Sequence, residues 1–417
     1  MNLKEQELKD FGIIETEETK ILLIGGKKLV LPVFKIPIEL LKYNILNGRI
    51  YTEVQNLRNK HEIDFENLSQ EEANNNIENL IWDTEPIKNK ATLQSIESYG
   101  QLEAGVVLTD TTVIDGNRRF TCLRRLNRGS EDSGEFAYFR AAILDPEQEK
   151  IGRKEIRKFE LSVQFGQQEK VDYDPLNKAL SIYNDIKENE IQIKEMSEIL
   201  GETVTSINNK LETINILHDY LQFLKSSDDY EFAKKMKVYY ALEPIAAYVK
   251  KKKSSLSEDD LEKRKRIYFS YLTFVKFELP TQDLRNRLVN KVFSRPKYYE
   301  KFNEEFSKNS ADIIYKQISN FPNIDTDEKI ELINEFKKTE ESAQISRILS
   351  DIVSQIDIED NLVAPVETLN KVLNLLKTID LRVYKEIDKS DILEEIYNLL
   401  DQVVELSEYL KDKNNND

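Results

Sequence analysis

Beyond Gly201 the 417-residue chain contains no further glycine, so roughly half of it lacks the residue that tight strand-to-strand turns most need. After about residue 175 the apolar spacing is helical almost throughout, which argues against a second sheet domain. Sheet-type sequence is confined to the front. In ILLIGGKKLVLPVFKIPI (21–38), Gly25-Gly26 reads as a hairpin turn between two short strands. Two more short strands fall at AGVVL (104–108) and TVI (112–114), separated by Thr109-Asp110-Thr111, and FAYFRAAIL (136–144) reads as another. LKYNILNGRI (41–50) reads as a loop. Residues 53–92, with the single tryptophan Trp82, read as polar helix, and a helix from Leu93 to Tyr99 ends at a capping Gly100. The expected fold class is therefore α+β at the N-terminus followed by an all-α helical region.

Two patterns mark the helical half. Leu261, Tyr268, Tyr271, Leu272 and Val275 share one helical stripe. Ile392, Ile396, Leu399, Val403, Leu406 and Leu410 recur at alternating four and three, which suits a helical hairpin or short coiled coil, with bundle packing favoured over a dimer zipper.

The formal net charge of −16 means that the average field repels nucleic acid, so any contact with DNA needs a local basic patch. The lone Cys122 rules out an internal disulfide and a CxxC zinc site, and His61 and His218 stand far apart with no second ligand at metal spacing. Cys122 itself reads as a small core residue. The N-terminus has no apolar signal region and no stretch suits a membrane span, so a cytoplasmic protein with no membrane partner is expected.

The sharpest local feature is VIDGNRRFTCLRRLNR (113–128). A strand ends, Gly116 permits a tight turn, and a helix begins with Arg118 and Arg119 in its first turn. Positions 118–128 hold five arginines and no acid. Cations there oppose the helix dipole. An anion bound at the helix N-terminus would account for this, and so would a solvated basic face.

The run SIESYGQLEAGVVLTDTTVIDGNRRFTCLRRL (95–126) resembles the core of the ParB/sulfiredoxin superfamily: a helix ending in Gly, a strand, a variable turn, a strand and a Gly-x-Arg-Arg helix start. The resemblance extends over about residues 30–215. It implies a pocket for a nucleoside triphosphate, CTP or ATP, with Gly100 and Gln101 on one side and Gly116, Asn117, Arg118 and Arg119 on the other. Arg49, in Asn47-Gly48-Arg49, falls where the family has its first arginine motif, separated from Gly100 by an insertion at about 53–90. FGQQEKVDYDPLNKALSIY (165–183) resembles the stretch leading out of the pocket. Family members often hold Mg there with a Glu-Asn pair, where this chain has Gly166 and Gln167. Glu169 and Asp172 are the substitutes at hand, since hard cations take carboxylate oxygens. Sulfiredoxin activity is set aside, because Asn117 stands where that branch has its reactive cysteine.

IQIKEMSEILGETVTSINNKLETINIL (191–217) has the layout of a helix-turn-helix, with Ser197 before and Ile207 after the turning Gly201. Thr205, Ser206, Asn208, Asn209 and Lys210 are its candidate DNA contacts. Two basic clusters, Lys250–Lys253 and Lys263–Arg266, read as solvated surface or as a patch that tracks a nucleic-acid backbone.

These readings divide the chain into a ParB/sulfiredoxin-like nucleotide-binding domain (1–170), a helix-turn-helix-like domain (171–225) and an acidic all-helical domain (226–417). The expected function is a bacterial ParB-like protein in which a nucleotide at the Gly116–Arg119 turn switches binding to DNA or a partner, with a homodimer as the candidate assembly. Phage defence, a mobile element and chromosome or plasmid partition are compatible settings. The alternatives are a phosphotransferase or nuclease using Glu103, Asp115, Glu169 or Asp172, and a non-catalytic protein-interaction scaffold.

Overall fold

The computed structural model describes residues 3, 8–45, 48–60, 63–65, 67–130, 134, 136–166, 174–378 and 390–414. Chain contacts divide it into two units, Met1–Leu349 and Ser350–Asp417.

The first unit opens on a hairpin of β1 (Ile14–Ile24) and β2 (Lys27–Pro37), each longer than the short strands expected. Ile24 pairs with Lys27 across Gly25-Gly26, whose φ values of 58° and 77° suit a two-residue turn that matches strand twist. With β3 (Lys42–Tyr43), β4 (Gly105–Leu108), β5 (Thr112–Asp115) and β6 (Tyr138–Leu144) the hairpin builds one six-stranded mixed sheet, in the order β1-β2-β6-β4-β5-β3. β6 lies antiparallel to β2 and parallel to β4; β5 lies antiparallel to β4 and parallel to β3. A two-residue strand inside the 41–50 segment thus closes one sheet edge where a loop was expected.

Successive strand residues face opposite sides, so Val107 and Val113 enter one core while Val106 and Ile114 enter another. On the first face Tyr43, Phe120 and Phe139 pack with α1 (Tyr51–Lys60), α2 (Gln70–Thr84), α3 (Pro86–Tyr99) and α4 (Asn117–Gly129). On the second, Leu22, Ile24 and Leu144 meet Ile156 and Phe159 of α5 (Arg153–Gly166). Residues 53–92 are helical in three separate pieces, and α3 starts earlier than the expected Leu93 because Pro86, with no N–H to leave unpaired, opens its first turn.

From α6 (Pro175–Lys187) onward the described chain is helical, as the glycine distribution implies. α7 (Ile193–Leu200) and α8 (Val204–Phe223) follow, then α9 (Tyr230–Lys235), α10 (Tyr239–Lys252) and α11 (Glu258–Phe274). α12 (Pro280–Asp283) passes into a ten-residue π-helix, Leu284–Phe293, ahead of α13 (Pro296–Asn309), α14 (Ala311–Ile318) and α15 (Thr326–Phe336). α11 is more than a stripe: residues 267–274 are all buried, because other helices surround it. The second unit holds the remainder of α16 (Glu340–Lys377) and α17 (Ser390–Asn414), where Leu399 and Val403 are exposed and the side chains of Ile392, Leu406 and Leu410 lie outside the described residues.

A buried ion cluster joins the sheet layer to the helices. Arg157 on α5 donates from Nε to Asp185 Oδ1 (2.7 Å), from Nη2 to Asp185 Oδ2 (3.0 Å) and from Nη1 to Glu160 (2.8 Å). Burial alone would push Arg157 down, but these two carboxylates hold it above its ordinary value. Removing the guanidinium leaves two buried carboxylates uncompensated, so Arg157→Met should cost about 3–5 kcal/mol in chemical denaturation. Glu335→Gln, which breaks the exposed Lys338–Glu335 pair, should cost less than about 1 kcal/mol in the same assay.

Candidate nucleotide site and helical cleft

The turn into α4 is formed as its sequence suggests. Gly116, at φ 97°, is the N-cap residue, and no side chain caps the helix. A Cβ at Gly116 would stand 2.9 Å from Phe139 Cζ and 3.3 Å from Arg119 Nη2, so both the conformation and the packing require glycine. The N-terminus of α4 thus has no side-chain cap and stands beside the Arg119 guanidinium, and helix N-termini beside such donors receive anions.

The two predicted walls meet. Gln101 Nε2 donates to the Glu103 carbonyl at 2.9 Å, and Arg119 Nη1 donates to the same oxygen at 2.6 Å. The Gln101 carboxamide is fully used, since it also donates to Arg140 O (2.8 Å) and accepts from Arg140 N (2.7 Å). Gly100 is an exposed left-handed cap, and a Cβ added there would meet nothing within 4 Å, so it shapes the loop and leaves space beside it. Asn117 Nδ2 donates to Val113 O (3.1 Å), while its buried Oδ1 finds no donor among the described residues. The side chain of Arg49 lies outside the described residues, as do Gln167, Glu169 and Asp172.

Of the acids beside these arginines, sequence reasoning named Glu103 and Asp115 but missed Glu85. Arg118 pairs with Glu85, the residue between α2 and α3, and Arg119 reaches Asp115 Oδ1 at 3.4 Å and Glu103 Oε2 at 3.5 Å. Asp115 also meets Lys20 Nζ at 3.3 Å. The later arginines are structural: Arg124 Nε donates to the buried Glu78 of α2 at 2.8 Å, Arg128 pairs with Glu78, and Arg125 lies 4.2 Å from the Trp82 ring centroid. An acid-free arginine run is thus matched by acids from the 53–92 segment, a pairing no local pattern could signal. Cys122 is buried in the same core, and burial pushes its thiol up to about 12, as suits an inert core residue.

Of the candidate DNA contacts, Thr205 is exposed, whereas Ser206 and Lys210 are half-buried and both bind Glu202. Asn208 donates to its own helix at Val204 O, and Asn209 Oδ1 accepts from Lys250 Nζ at 3.1 Å. α7 and α8 meet at Gly201 (φ 64°), with Met196 and Ile207 in a shared core. Ser206, Asn209 and Lys210 line a cleft of about 950 Å³ against α10. A second cleft, of about 980 Å³, also lies among the helices, and neither includes a residue of the α4 turn. The basic clusters part ways: Lys265 is buried against Asp219 and Glu262, whereas Lys250, Lys251 and Lys253 are exposed.

Among the described residues no group of three or more His, Cys, Asp or Glu side chains could hold a metal ion, and no helix is long and apolar enough to cross a membrane. No family model and no curated protein matches the chain. Two solved structures are similar to part of it: the C-terminally truncated chromosome-partitioning protein ParB from Caulobacter crescentus complexed to the centromeric parS site, and the same truncated protein complexed with CTP-gamma-S. The first is 13% identical with a TM-score of 0.27, covering 56% of this chain and 98% of its own. The second is 13% identical with a TM-score of 0.18, covering 52% of this chain and 92% of its own. Likeness at that level carries no weight for function.

Glu202 supplies a pH test of the α7–α8 turn. Burial pushes its carboxyl up, but hydrogen bonds from Lys210, Ser206 and Lys178 outweigh that and hold it at about 2. A depressed carboxyl stabilises the fold above the ordinary glutamate value, and this contribution is lost as pH falls from 4.5 towards about 2. Glu202→Gln should therefore flatten that part of the acid-unfolding curve followed by circular dichroism.

Proposed function

We propose that this chain is a nucleotide-binding, DNA-associated protein of ParB-like type, in which the Gly116–Arg119 turn holds a nucleoside triphosphate. The observation that carries the reading is the uncapped N-terminus of α4 with Arg119 turned towards the Gln101–Glu103 loop. The donors suit phosphate: helix N–H groups supply a fixed positive end, and guanidinium forks match phosphate oxygens. The family resemblance of residues 95–126 assigns the same turn the same ligand class.

When bound, the nucleotide would supply a polyanion for these donors. Arg118 would then exchange Glu85, and Arg119 would exchange Glu103 and Asp115, for phosphate oxygens. Glu85 joins α2 to α3, so its release frees the segment ahead of the Gly100 loop. α1 is tied to α6 through Thr52 N–H and Asn177 Oδ1 (3.2 Å), which gives the N-terminal layer a mechanical link to the helices that would meet DNA through Thr205 and Asn208. Such a change works by favouring one of two conformations. The described residues offer no cluster of carboxylates for Mg.

Equilibrium binding of CTP, ATP, GTP and UTP, with and without duplex DNA, tests the reading. Wild type should select one triphosphate, Arg119→Ala should bind it about tenfold or more weakly, and Glu85→Gln should bind it more tightly because a competing carboxylate is gone. Absence of binding, or equal binding by all three proteins, would remove the nucleotide from this turn.

A further inference from the structure

The cleft between α8, α10 and the π-helix is distinct from the α4 turn. Six cationic side chains line it against three carboxylates, in a chain whose net charge is −16. Half of these cations are already engaged: Lys178 and Lys210 bind Glu202, and Lys250 donates to Asn209. The side chains of Lys251, Lys252 and Arg285 make no ion pair or hydrogen bond with any described residue. The dipole of α10 favours lysine in its last turn. That preference does not explain Arg285, which reaches the same space from another element.

Two further observations concern the ligand. Tyr240 borders the cleft and is 52% exposed, with its ring set edge-on against Tyr239 at 5.4 Å between centroids. A half-exposed aromatic ring beside cations without a salt bridge suits a planar base next to its phosphates. The π-helix contributes Arg285, Val289 and Asn290, with Ser294 at its C-cap, a spacing of four and five that brings one face of the segment to the cleft. Ten residues of π-helix are uncommon, and such segments are frequent at functional sites.

Size decides between forms of nucleic acid. A volume of about 950 Å³ corresponds to a space roughly 10 Å across, narrower than a whole duplex, whose major groove alone is about 12 Å wide. A duplex cannot enter, whereas a single strand can lay its backbone along the lysines and one base on Tyr240. We propose that this cleft binds single-stranded nucleic acid, with Lys251, Lys252 and Arg285 on the phosphates and Tyr240 as the stacking platform. Half-buried Glu243, pushed up by burial against the pull of Arg285 and Lys210, is the acceptor at hand for a base amino group.

The test is fluorescence anisotropy with labelled single-stranded DNA, single-stranded RNA and duplex DNA of about a dozen nucleotides or pairs, titrated at several salt concentrations. The full chain should bind single strands more tightly than duplex. Lys251→Ala/Arg285→Ala should weaken single-strand binding and reduce its salt slope by about 1.4, the value for two lost phosphate contacts. Tyr240→Ala should weaken it about tenfold with little change in slope. Comparison of DNA with RNA tells which sugar the cleft accepts. Absence of single-strand binding, binding unchanged in both variants, or equal binding of duplex with Tyr240→Ala silent would overturn the proposal. All three substituted positions are at the surface of the cleft, and matching thermal unfolding checks that the variants fold. Arg119→Ala should leave oligonucleotide binding unchanged without nucleotide, so this proposal and the nucleotide reading fail separately.

Discussion

The guanidinium of Arg157 is the fixed point of the first unit. It sits on α5, whose apolar face covers one side of the sheet, and its partner Asp185 sits on α6, the first of the long helical series. Leu161 of α5 joins Ile182, Ile191, Met196 and Ile207 in a small core, and the ion cluster borders it. Apolar contact is non-directional and would let these helices slide, whereas a buried fork with two carboxylates has one geometry. Registry is the best-attested use of such costly buried charge. Here it ties α5, which covers the sheet, to α6, which leads on to α7 and α8.

A second set of buried charges does similar work on the other face. Arg124 and Arg128 of α4 converge on Glu78 of α2, which is only 1% exposed. Arg124 also donates to Glu71 and Asn75 of α2, so the 53–92 segment is bound to the helix it precedes in sequence. What the sequence presents as an insertion is therefore a counterion layer for the arginine helix.

Legibility followed the range of the interaction. Gly25-Gly26, Gly100, Gly116 and Gly201 each set a local backbone conformation, and each ends or turns an element where its neighbours suggest. The sheet and the helical half were legible for that reason. Lengths were less so, because β1 and β2 extend each other by cross-strand pairing that neither strand specifies alone. The distant acids beside the arginines were not legible at all. Glu85 lies 33 positions from Arg118, and Glu78 lies 46 from Arg124, so only the fold brings them together. The cleft was half legible: the lysine run after Val249 is plain in the sequence, but nothing near Arg285 marks it as a partner.

The two basic sites differ in how a ligand would meet them. At the α4 turn Arg118 and Arg119 already face carboxylates, so an incoming anion gains only the difference between its contacts and those it replaces. Such exchange keeps affinity modest and couples binding to movement of the displaced acids, which is the property a switch needs. In the α10 cleft, Lys251, Lys252 and Arg285 have no ion pair with a described carboxylate to give up, and a backbone bound there gains through counterion release. Affinity at that site should follow ionic strength closely, while conformational coupling should be weak. A chain with a large negative charge could thus hold one site that responds and one that retains, provided that acids are folded against the arginines of the first and form no salt bridge with these three cations of the second among the described residues.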